Sequence, residues 1–248
     1  MFSTVVDYFN DRGSNVYVAG LDVAKAFDSV NHYGIFIKLM NVHVPLCVLN
    51  VLVNWYGKLS GCVRWAGVLS QQFSMHSGVR EGSVISPLLF SLYINDLIIS
   101  LRSQGYGCYL GDMFAGCLLF ADDILLLSAS VWQLQFMLNI CYEYCNEWDL
   151  QFNVKKSTVM VVGKGDNALL PVMMLGDGVL NWVREIKYLG VCLYSQKGLR
   201  VNSSINCRKF LGASFSILQR FGHLDEEVLC EIILTKCDAY FNIRYGMF

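Results

Sequence analysis

The segment CLLFADDILLL, from Cys117 to Leu127, holds two adjacent aspartates between two apolar runs. Apolar residues on both sides of Asp122 and Asp123 are typical of strands that are buried on both faces. A strand that ends in a carboxylate beside the core costs free energy unless that group is paired, hydrogen-bonded or bound to a cation. The segment therefore predicts a buried hairpin with two acids at its tight turn.

A third acid follows another apolar run, Val16–Leu21, which predicts a short strand that ends at Asp22. Strands from distant parts of a sequence can meet in one sheet, so the three acids can converge on one point. Carboxylate oxygens suit Mg²⁺, which prefers one or two carboxylates together with waters and substrate phosphates. Two such ions about 4 Å apart would clamp the attacking and leaving oxygens of a phosphoryl transfer. The alternative is three acids in surface turns, which the apolar setting of FADDILLL disfavours.

The rest of the chain mixes helical and strand patterns without the regular alternation of a doubly wound sheet, which favours an α+β fold. Apolar spacing predicts helices at Tyr33–Tyr56 with a break near Pro45, Ser83–Leu101 with Pro87 near its start, Val131–Trp148, Ser203–Phe221 and Glu226–Tyr240. Further strands are predicted at Thr158–Val162, Val172–Leu175 and Tyr188–Leu193, and a hairpin at Cys62–Met75.

Composition bounds the class of protein. Hydrophobic residues make up 54% and charged residues 16% of the 248 positions, which allows a sizeable core and argues against disorder. The mean hydropathy of +0.42 raises the question of a membrane span. The apolar runs Ser83–Leu101 and Phe114–Ser128 both contain aspartates, so neither qualifies as a span. With no signal-peptide pattern either, we expect a cytoplasmic and nuclear location and no membrane partner.

Cysteines and charge add two expectations. The ten cysteines are irregularly spaced with no CxxC and the four histidines are scattered, which predicts buried free thiols and no zinc site.

Residues 151–220 hold ten Lys/Arg against three Asp/Glu, although the whole chain has a net charge of −1. An acidic part followed by a basic part is expected if one holds metal ions and the next holds phosphates. An uneven solvated surface is the open alternative.

Five segments occur in the order of the palm motifs of reverse transcriptases. Their sequences resemble those typical of animal non-LTR (LINE-type) retrotransposons. They are LDVAKAFDSVNH (Leu21–His32), GVREGSVISPLLFSLYINDL (Gly78–Leu97), FADD (Phe120–Asp123), FNVKKS (Phe152–Ser157) and KYLG (Lys187–Gly190). The resemblance implies a polymerase palm in residues 1–195, with a ferredoxin-like βαββαβ-type sheet and helices on one face. The helical start of a thumb or connection would follow in residues 196–248.

The resemblance also implies an activity, namely RNA-directed DNA polymerisation from dNTPs on a primer paired with an RNA or DNA template. Asp22 and Asp122 resemble the pair that binds two Mg²⁺ ions, which Mn²⁺ can replace, and Asp123 resembles the third acid. Lys156 matches a lysine that protonates the leaving pyrophosphate, where a cation has an electrostatic use. Lys155 beside it leaves this assignment open, and a solvated charge is the plainer alternative.

Other matches concern the nucleotide and the nucleic acid. Phe27 resembles the aromatic that excludes a ribose 2′-OH, with an ordinary core phenylalanine as the alternative. The role of Asp28 after it, structural or catalytic, stays open. Gly78, Arg80 and Gly82 resemble a turn that approaches the template–dNTP base pair, and Ser86 and Pro87 would support that turn from the helix behind it. Tyr188, Leu189 and Gly190 resemble the segment that holds the primer end.

The sequence departs from the family at Glu81, where relatives usually have glutamine, and at Phe120, where many have tyrosine. The finger strands that would precede Val16, a complete thumb and an endonuclease module have no counterpart in the sequence. We therefore expect a fragment that is inactive alone. A group II intron maturase-like or telomerase-like polymerase, and an inactive remnant that keeps only a binding function, remain alternatives.

Overall fold

The computed structural model describes residues 1–80, 82–163, 170–195, 198–202 and 204–237. The helices are α1 (Phe2–Asp11), α2 (Ala26–Ser29), α3 (His32–Asn41), α4 (Leu46–Gly57), α5 (Ser86–Ser103), α6 (Val131–Glu147), α7 (Ser204–Phe221) and α8 (Glu226–Cys237). The strands are β1 (Val16–Asp22), β2 (Ser60–Gly61), β3 (Arg64–Trp65), β4 (Val68–Leu69), β5 (Phe73–Ser74), β6 (Tyr109–Leu110), β7 (Met113–Phe114), β8 (Cys117–Phe120), β9 (Asp123–Ser128), β10 (Thr158–Val162), β11 (Met173–Leu175), β12 (Gly178–Trp182), β13 (Glu185–Tyr188), β14 (Val191–Ser195) and β15 (Leu199–Asn202).

A six-stranded sheet forms the centre of the molecule, in the order β11-β12-β10-β1-β9-β8. Strand β1 lies inside it and pairs antiparallel with both β9 and β10. Successive side chains of a strand point to opposite faces, so Val16 and Val18 enter one apolar cluster while Ala19 and Leu21 enter another. The central strands are therefore apolar on both faces, and each face needs its own cover.

Helices α3 to α6 cover one face, where Ile35, Phe90, Leu97 and Leu134 are almost fully buried. The opposite face is covered by α1 and by the three-stranded sheet β13-β14-β15. The mixed α+β architecture that the sequence predicts is confirmed, but helices lie on both faces. Helix α1 packs on the second face because Phe2 and its apolar neighbours bury that side of β1.

A buried cation ties the helical layer together. Lys38 of α3 is 2% exposed, and its ammonium lies 2.5 Å from an Asp96 carboxylate oxygen and 3.1 Å from the Tyr144 hydroxyl. It also lies 3.6 Å from the centre of the Trp148 ring. A buried charge is tolerated only when it is paired in this way, and removing one partner is strongly destabilising. The contacts fix α3 against α5 and α6.

Several local predictions are confirmed. The predicted break near Pro45 separates α3 from α4, and α5 carries Pro87 in its first turn. The Cys62–Met75 hairpin is a two-part ribbon of β2 with β5 and β3 with β4. The end of the last predicted helix, residues 238–240, lies outside the described residues, as does Ser203.

One strand prediction is wrong. The predicted strand Tyr188–Leu193 is two strands, β13 and β14, which are joined by a turn at Leu189 and Gly190. Both turn residues have positive φ, 47° and 78°, which a continuous strand excludes. Among the described helices, none is long and apolar enough to cross a membrane.

Candidate active site

The acids at the ends of β1 and β9 are brought together by the sheet. Asp22 and Asp123 are direct partners in the antiparallel ladder, so their Cβ atoms lie about 5 Å apart. Both side chains share the face of the sheet that carries Val18 and Leu125. They line a cleft of about 250 Å³ whose other wall is β13.

The predicted acidic hairpin is confirmed in its position. Phe120 pairs with Asp123, and Ala121 and Asp122 form the two-residue turn between β8 and β9. Ala121 has a positive φ of 52°, which is strained for a residue with a Cβ. The structure thus brings Asp22 and Asp123 to the cleft and leaves Asp122 in the turn beside it. The assignment of Asp22 and Asp122 as the metal-binding pair stays a prediction.

The carboxylates crowd one another. Burial raises the pKa of Asp123 above its ordinary value, and the negative charges of Asp122 and Asp22 raise it further. A backbone hydrogen bond from Leu189 and the charge of Lys187 oppose these effects but do not cancel them. Because negative charge accumulates at this end of the sheet, the site favours a cation.

Lys156 supplies one positive charge at the cleft. Its ammonium lies 3.6 Å from a carboxylate oxygen of Asp22, while its side chain remains 68% exposed. Lys155 is also exposed but does not line the cleft. Lys156 therefore lies beside the acids and Lys155 does not, while the role of Lys156 in catalysis stays a prediction.

The turn between β13 and β14 lies over the acids. Positive φ at both Leu189 and Gly190 matches a two-residue type I′ turn. Gly20 on β1 permits this approach, because a Cβ there would lie 3.0 Å from the Cγ2 atom of Ile186. Tyr188 is buried and its hydroxyl donates to the Leu118 carbonyl at 3.4 Å, so its ring belongs to the core. Burial raises the pKa of Tyr188 far above its ordinary value.

Two charged residues of the cleft lining are absent from the sequence-based assignment. Glu185 and Lys187 are exposed on β13, while Ile186 and Tyr188 between and after them are buried. The alternation in EIKY marks a strand with one solvated face, which is a signal for the exposure of both residues but not for their position at the cleft. Lys187 adds a second cation to the lining of the cleft.

The Gly78–Val79 turn is held against the segment that contains Phe27. The N–H of Val79 donates to the Phe27 carbonyl at 2.7 Å, and the N–H of Gly78 donates to the Val30 carbonyl at 2.8 Å. Gly78 has a φ of 88°, and a Cβ there would meet the Asp28 backbone at 3.0 Å. The predicted sugar gate and the predicted template turn are therefore parts of one hydrogen-bonded unit.

The side chains of this unit divide into packed and exposed groups. The Phe27 ring is partly buried and stacks on Phe90, with 5.1 Å between ring centroids. Arg80 and Gly82 are exposed, and Gly82 has a φ of 77°. Asp28 is exposed as well, and Ser86 is buried at the start of α5. Glu81 lies outside the described residues.

The donor set suits a hard divalent cation that is shared with a substrate. In the described part of the chain, no three or more His, Cys, Asp or Glu side chains form a ready-made metal cluster. Mg²⁺ does not need one, since it retains waters and binds substrate phosphates beside one or two carboxylates. Two opposed carboxylates with a raised pKa at one of them fit that requirement. The ten cysteines are free thiols.

Comparisons with known proteins agree with these observations. The model of the reverse transcriptase (RNA-dependent DNA polymerase) family matches residues 2–193. The Retrovirus-related Pol polyprotein from type-2 retrotransposable element R2DM of Drosophila melanogaster is 31% identical over 167 residues, 65% of this chain and 16% of that protein. The RNA-directed DNA polymerase from mobile element jockey of Drosophila funebris is 28% identical over 181 residues, 70% of this chain and 19% of that protein.

Solved structures show the fold. Telomerase from Candida tropicalis in complex with a fragment of telomeric RNA aligns with a TM-score of 0.60 at 10% identity, over 98% of this chain and 40% of that one. The chain spans 16%, 26% and 21% of three curated relatives named for R2 elements. The family model covers well over half of the sequence and includes both opposed acids. This chain belongs to the reverse transcriptase (RNA-dependent DNA polymerase) family.

Proposed function

We propose that the chain forms the catalytic palm of an RNA-directed DNA polymerase of the non-LTR retrotransposon kind. Its reaction joins a dNTP to a primer 3′-OH with release of pyrophosphate. The observation that carries this proposal is the register of the central sheet, which sets Asp22 opposite Asp123. A cation, Lys156, lies 3.6 Å from one of them.

The acids would hold the divalent ions. The ligands would be Asp22, Asp122 and Asp123, of which Asp22 and Asp123 are opposed in the sheet and Asp122 lies in the turn beside them. Bound Mg²⁺ or Mn²⁺ would lower the pKa of the primer hydroxyl and neutralise charge on the leaving pyrophosphate. Lys156 places a further positive charge, or a proton, where the pyrophosphate leaves, and such preorganised charge stabilises a transition state.

Segments around the acids would hold the substrates. Phe27 lies under the sugar of the incoming nucleotide, while the turn from Gly78 to Gly82 approaches the new base pair. The turn at Leu189 and Gly190, which follows the buried Tyr188, holds the primer end, and Lys187 pairs with a primer phosphate. Lysines and arginines of residues 151–220 continue this contact along the backbone of the primer and its RNA or DNA template.

Two alternative functions, a telomerase-like polymerase and an inactive remnant, are less well supported. The telomerase structures share the fold at 10–13% identity, whereas the curated relatives that match at 24–31% are named for retrotransposons, which favours the retrotransposon assignment. A remnant that only binds nucleic acid would not need opposed carboxylates beside buried strands, which are costly without a cation.

Localised cleavage by Fe²⁺ tests the proposal without requiring turnover. Fe²⁺ that replaces Mg²⁺ generates hydroxyl radicals at its binding site when ascorbate and peroxide are added. We expect cuts in the chain near Asp22 and Asp123, and cuts at the 3′ end of a DNA primer that is bound on an RNA template. Excess Mg²⁺ should suppress both.

The matched controls are two charge-neutralising variants. Asp123→Asn should abolish the cuts, whereas Asp112→Asn should not, because Asp112 is exposed in the turn between β6 and β7. Cuts in the chain without cuts at the primer end would favour a metal-binding remnant. Cleavage that persists in Asp123→Asn contradicts the metal assignment.

A further inference from the structure

The ladder between β1 and the segment before β10 changes register at Asp22. Gly20 pairs with Thr158, but Val23 pairs with Phe152. Five residues, 153–157, therefore oppose the two residues 21 and 22. The extra residues fold into a turn in which the N–H groups of Lys156 and Ser157 both donate to the Asn153 carbonyl, at 3.0 and 2.9 Å.

This turn holds both backbone polar groups of Asp22. The Asn153 N–H donates to the Asp22 carbonyl at 2.8 Å. The Asp22 N–H would meet a backbone carbonyl in a regular ladder, but here it donates to the Ser157 hydroxyl oxygen at 3.2 Å. The Ser157 hydroxyl in turn donates to the Asn153 carbonyl at 2.9 Å. A serine side chain thus replaces the missing backbone partner at a partly buried position.

Ser157 has no direct part in the cleft. It is 1% exposed and does not line the cleft, while Lys156 before it does. The two neighbours therefore contact different parts of Asp22. The Lys156 ammonium lies beside the carboxylate, and the Ser157 hydroxyl accepts the backbone N–H. We propose that Ser157 is a positioning residue whose hydroxyl fixes the main chain at Asp22 and so aims its carboxylate across the sheet at Asp123.

The inference rests on the proposed function, because it assigns Ser157 a role toward a metal that Asp22 would bind. Residues that orient a metal ligand typically change metal affinity by about 10- to 100-fold when they are removed. Functional groups need placement to within about 0.5 Å, and the hydrogen bond to Ser157 limits the freedom of Asp22 along the strand. Loss of the hydroxyl should therefore weaken metal binding although every carboxylate remains.

The experiment compares Ser157→Thr with Ser157→Val, which have nearly equal volume and differ by a hydroxyl. The control is the same pair at Ser128, which is also fully buried and bonded to the Ser130 N–H at 3.2 Å. Ser128 lies at the far end of β9, opposite Tyr17. Mn²⁺ binding to the whole chain is measured by electron paramagnetic resonance, well below each variant's melting temperature.

We expect Ser157→Thr to bind Mn²⁺ about tenfold more tightly than Ser157→Val, and the Ser128 pair to differ by less than about twofold. Hydrogen exchange at the Asp22 amide should be faster in Ser157→Val than in Ser157→Thr. Equal Mn²⁺ affinities for the two Ser157 variants, with a parent that binds Mn²⁺, overturn the positioning role and leave the proposed function intact. If the parent chain binds no Mn²⁺, the positioning role of Ser157 and the proposed function are both wrong.

Discussion

Asp22 and Asp123 lie directly opposite each other at the end of the ladder between β1 and β9. Like charges at directly opposed positions of a sheet destabilise it. Burial raises the pKa of Asp123 above its ordinary value, and the negative charges of Asp122 and Asp22 raise it further. A divalent cation bound beside the two acids would offset this negative charge.

Asp123→Asn should stabilise the chain in metal-free buffer. The variant removes one of two opposed charges, so the free energy of unfolding should rise by about 0.2–1 kcal/mol at low salt. The same variant should lose the stabilisation that Mg²⁺ gives the parent, because a ligand that binds only the folded state stabilises it. Urea titrations with and without Mg²⁺ measure both effects.

The control for this prediction is Asp112→Asn, which makes the same charge change in an exposed turn. It should leave the response to Mg²⁺ unchanged. If Mg²⁺ stabilises Asp123→Asn as much as the parent, the opposed acids do not bind the ion.

Gly190→Ala should destabilise the chain. Gly190 has a φ of 78° in the turn over the acids, and an L-residue there costs about 1–2 kcal/mol. Gly212→Ala is the matched substitution, since Gly212 lies inside α7, where an added Cβ would meet no atom within 4 Å, and alanine favours a helix by about 0.5–1 kcal/mol. Thermal unfolding should therefore move in opposite directions for the two variants. A stabilising Gly190→Ala would contradict the turn geometry.

The sequence predicts the acidic hairpin and the strand before Asp22 because both are apolar runs that end at charged residues. The prediction omits α1, although Phe2, Val5, Val6 and Phe9 have the spacing of one helical face. These features are local, so a pattern along the chain is sufficient to find them.

The rest depends on contacts between distant segments. Only Gly190 marks the turn between β13 and β14, since Leu189 has no preference for a positive φ, and the apolar pattern alone predicts one continuous strand. The Ser157 hydrogen bond arises from the register change against β1, which sequence spacing does not reveal. Lys187 is assigned to the cleft only because β13 packs against β1 and β10.

Phe27→Val should weaken discrimination between deoxyribonucleotides and ribonucleotides. The Phe27 ring is partly buried against Phe90, and its removal would leave space under the sugar of the incoming nucleotide. A 3′-dideoxy-terminated primer traps the complex before chemistry, so the ratio of dissociation constants for the next rNTP and dNTP can be measured directly. We expect this ratio to fall by about tenfold, which corresponds to about 1.4 kcal/mol.

Phe36→Val is the matched control because Phe36 of α3 is a partly buried phenylalanine that packs on the same core and has no proposed contact with the nucleotide. It should lower the melting temperature without changing the ratio. If the ratio of the rNTP and dNTP dissociation constants is the same in both variants, Phe27 is a core residue and does not act as a gate.

Lys156→Gln should weaken binding of the incoming dNTP, and Lys155→Gln should not. The ammonium of Lys156 lies beside Asp22 at the cleft, where the triphosphate would lie, whereas Lys155 does not line the cleft. A hydrogen bond to a charged group contributes about 1.5–3 kcal/mol, and the high exposure of Lys156 places the expected loss near the lower bound, at about tenfold in affinity. The measurement is the dissociation constant of the dNTP on a 3′-dideoxy-terminated primer.

Salt dependence separates this role from general attraction to nucleic acid. Each lysine that contacts a phosphate contributes about 0.7–0.9 to the slope of log affinity against log salt. If both lysines also follow the primer–template backbone, both variants should lower that slope equally, while only Lys156→Gln weakens the dNTP. Equal losses of dNTP affinity in the two variants would show that the effect is one of general charge and does not depend on the position of Lys156 beside Asp22.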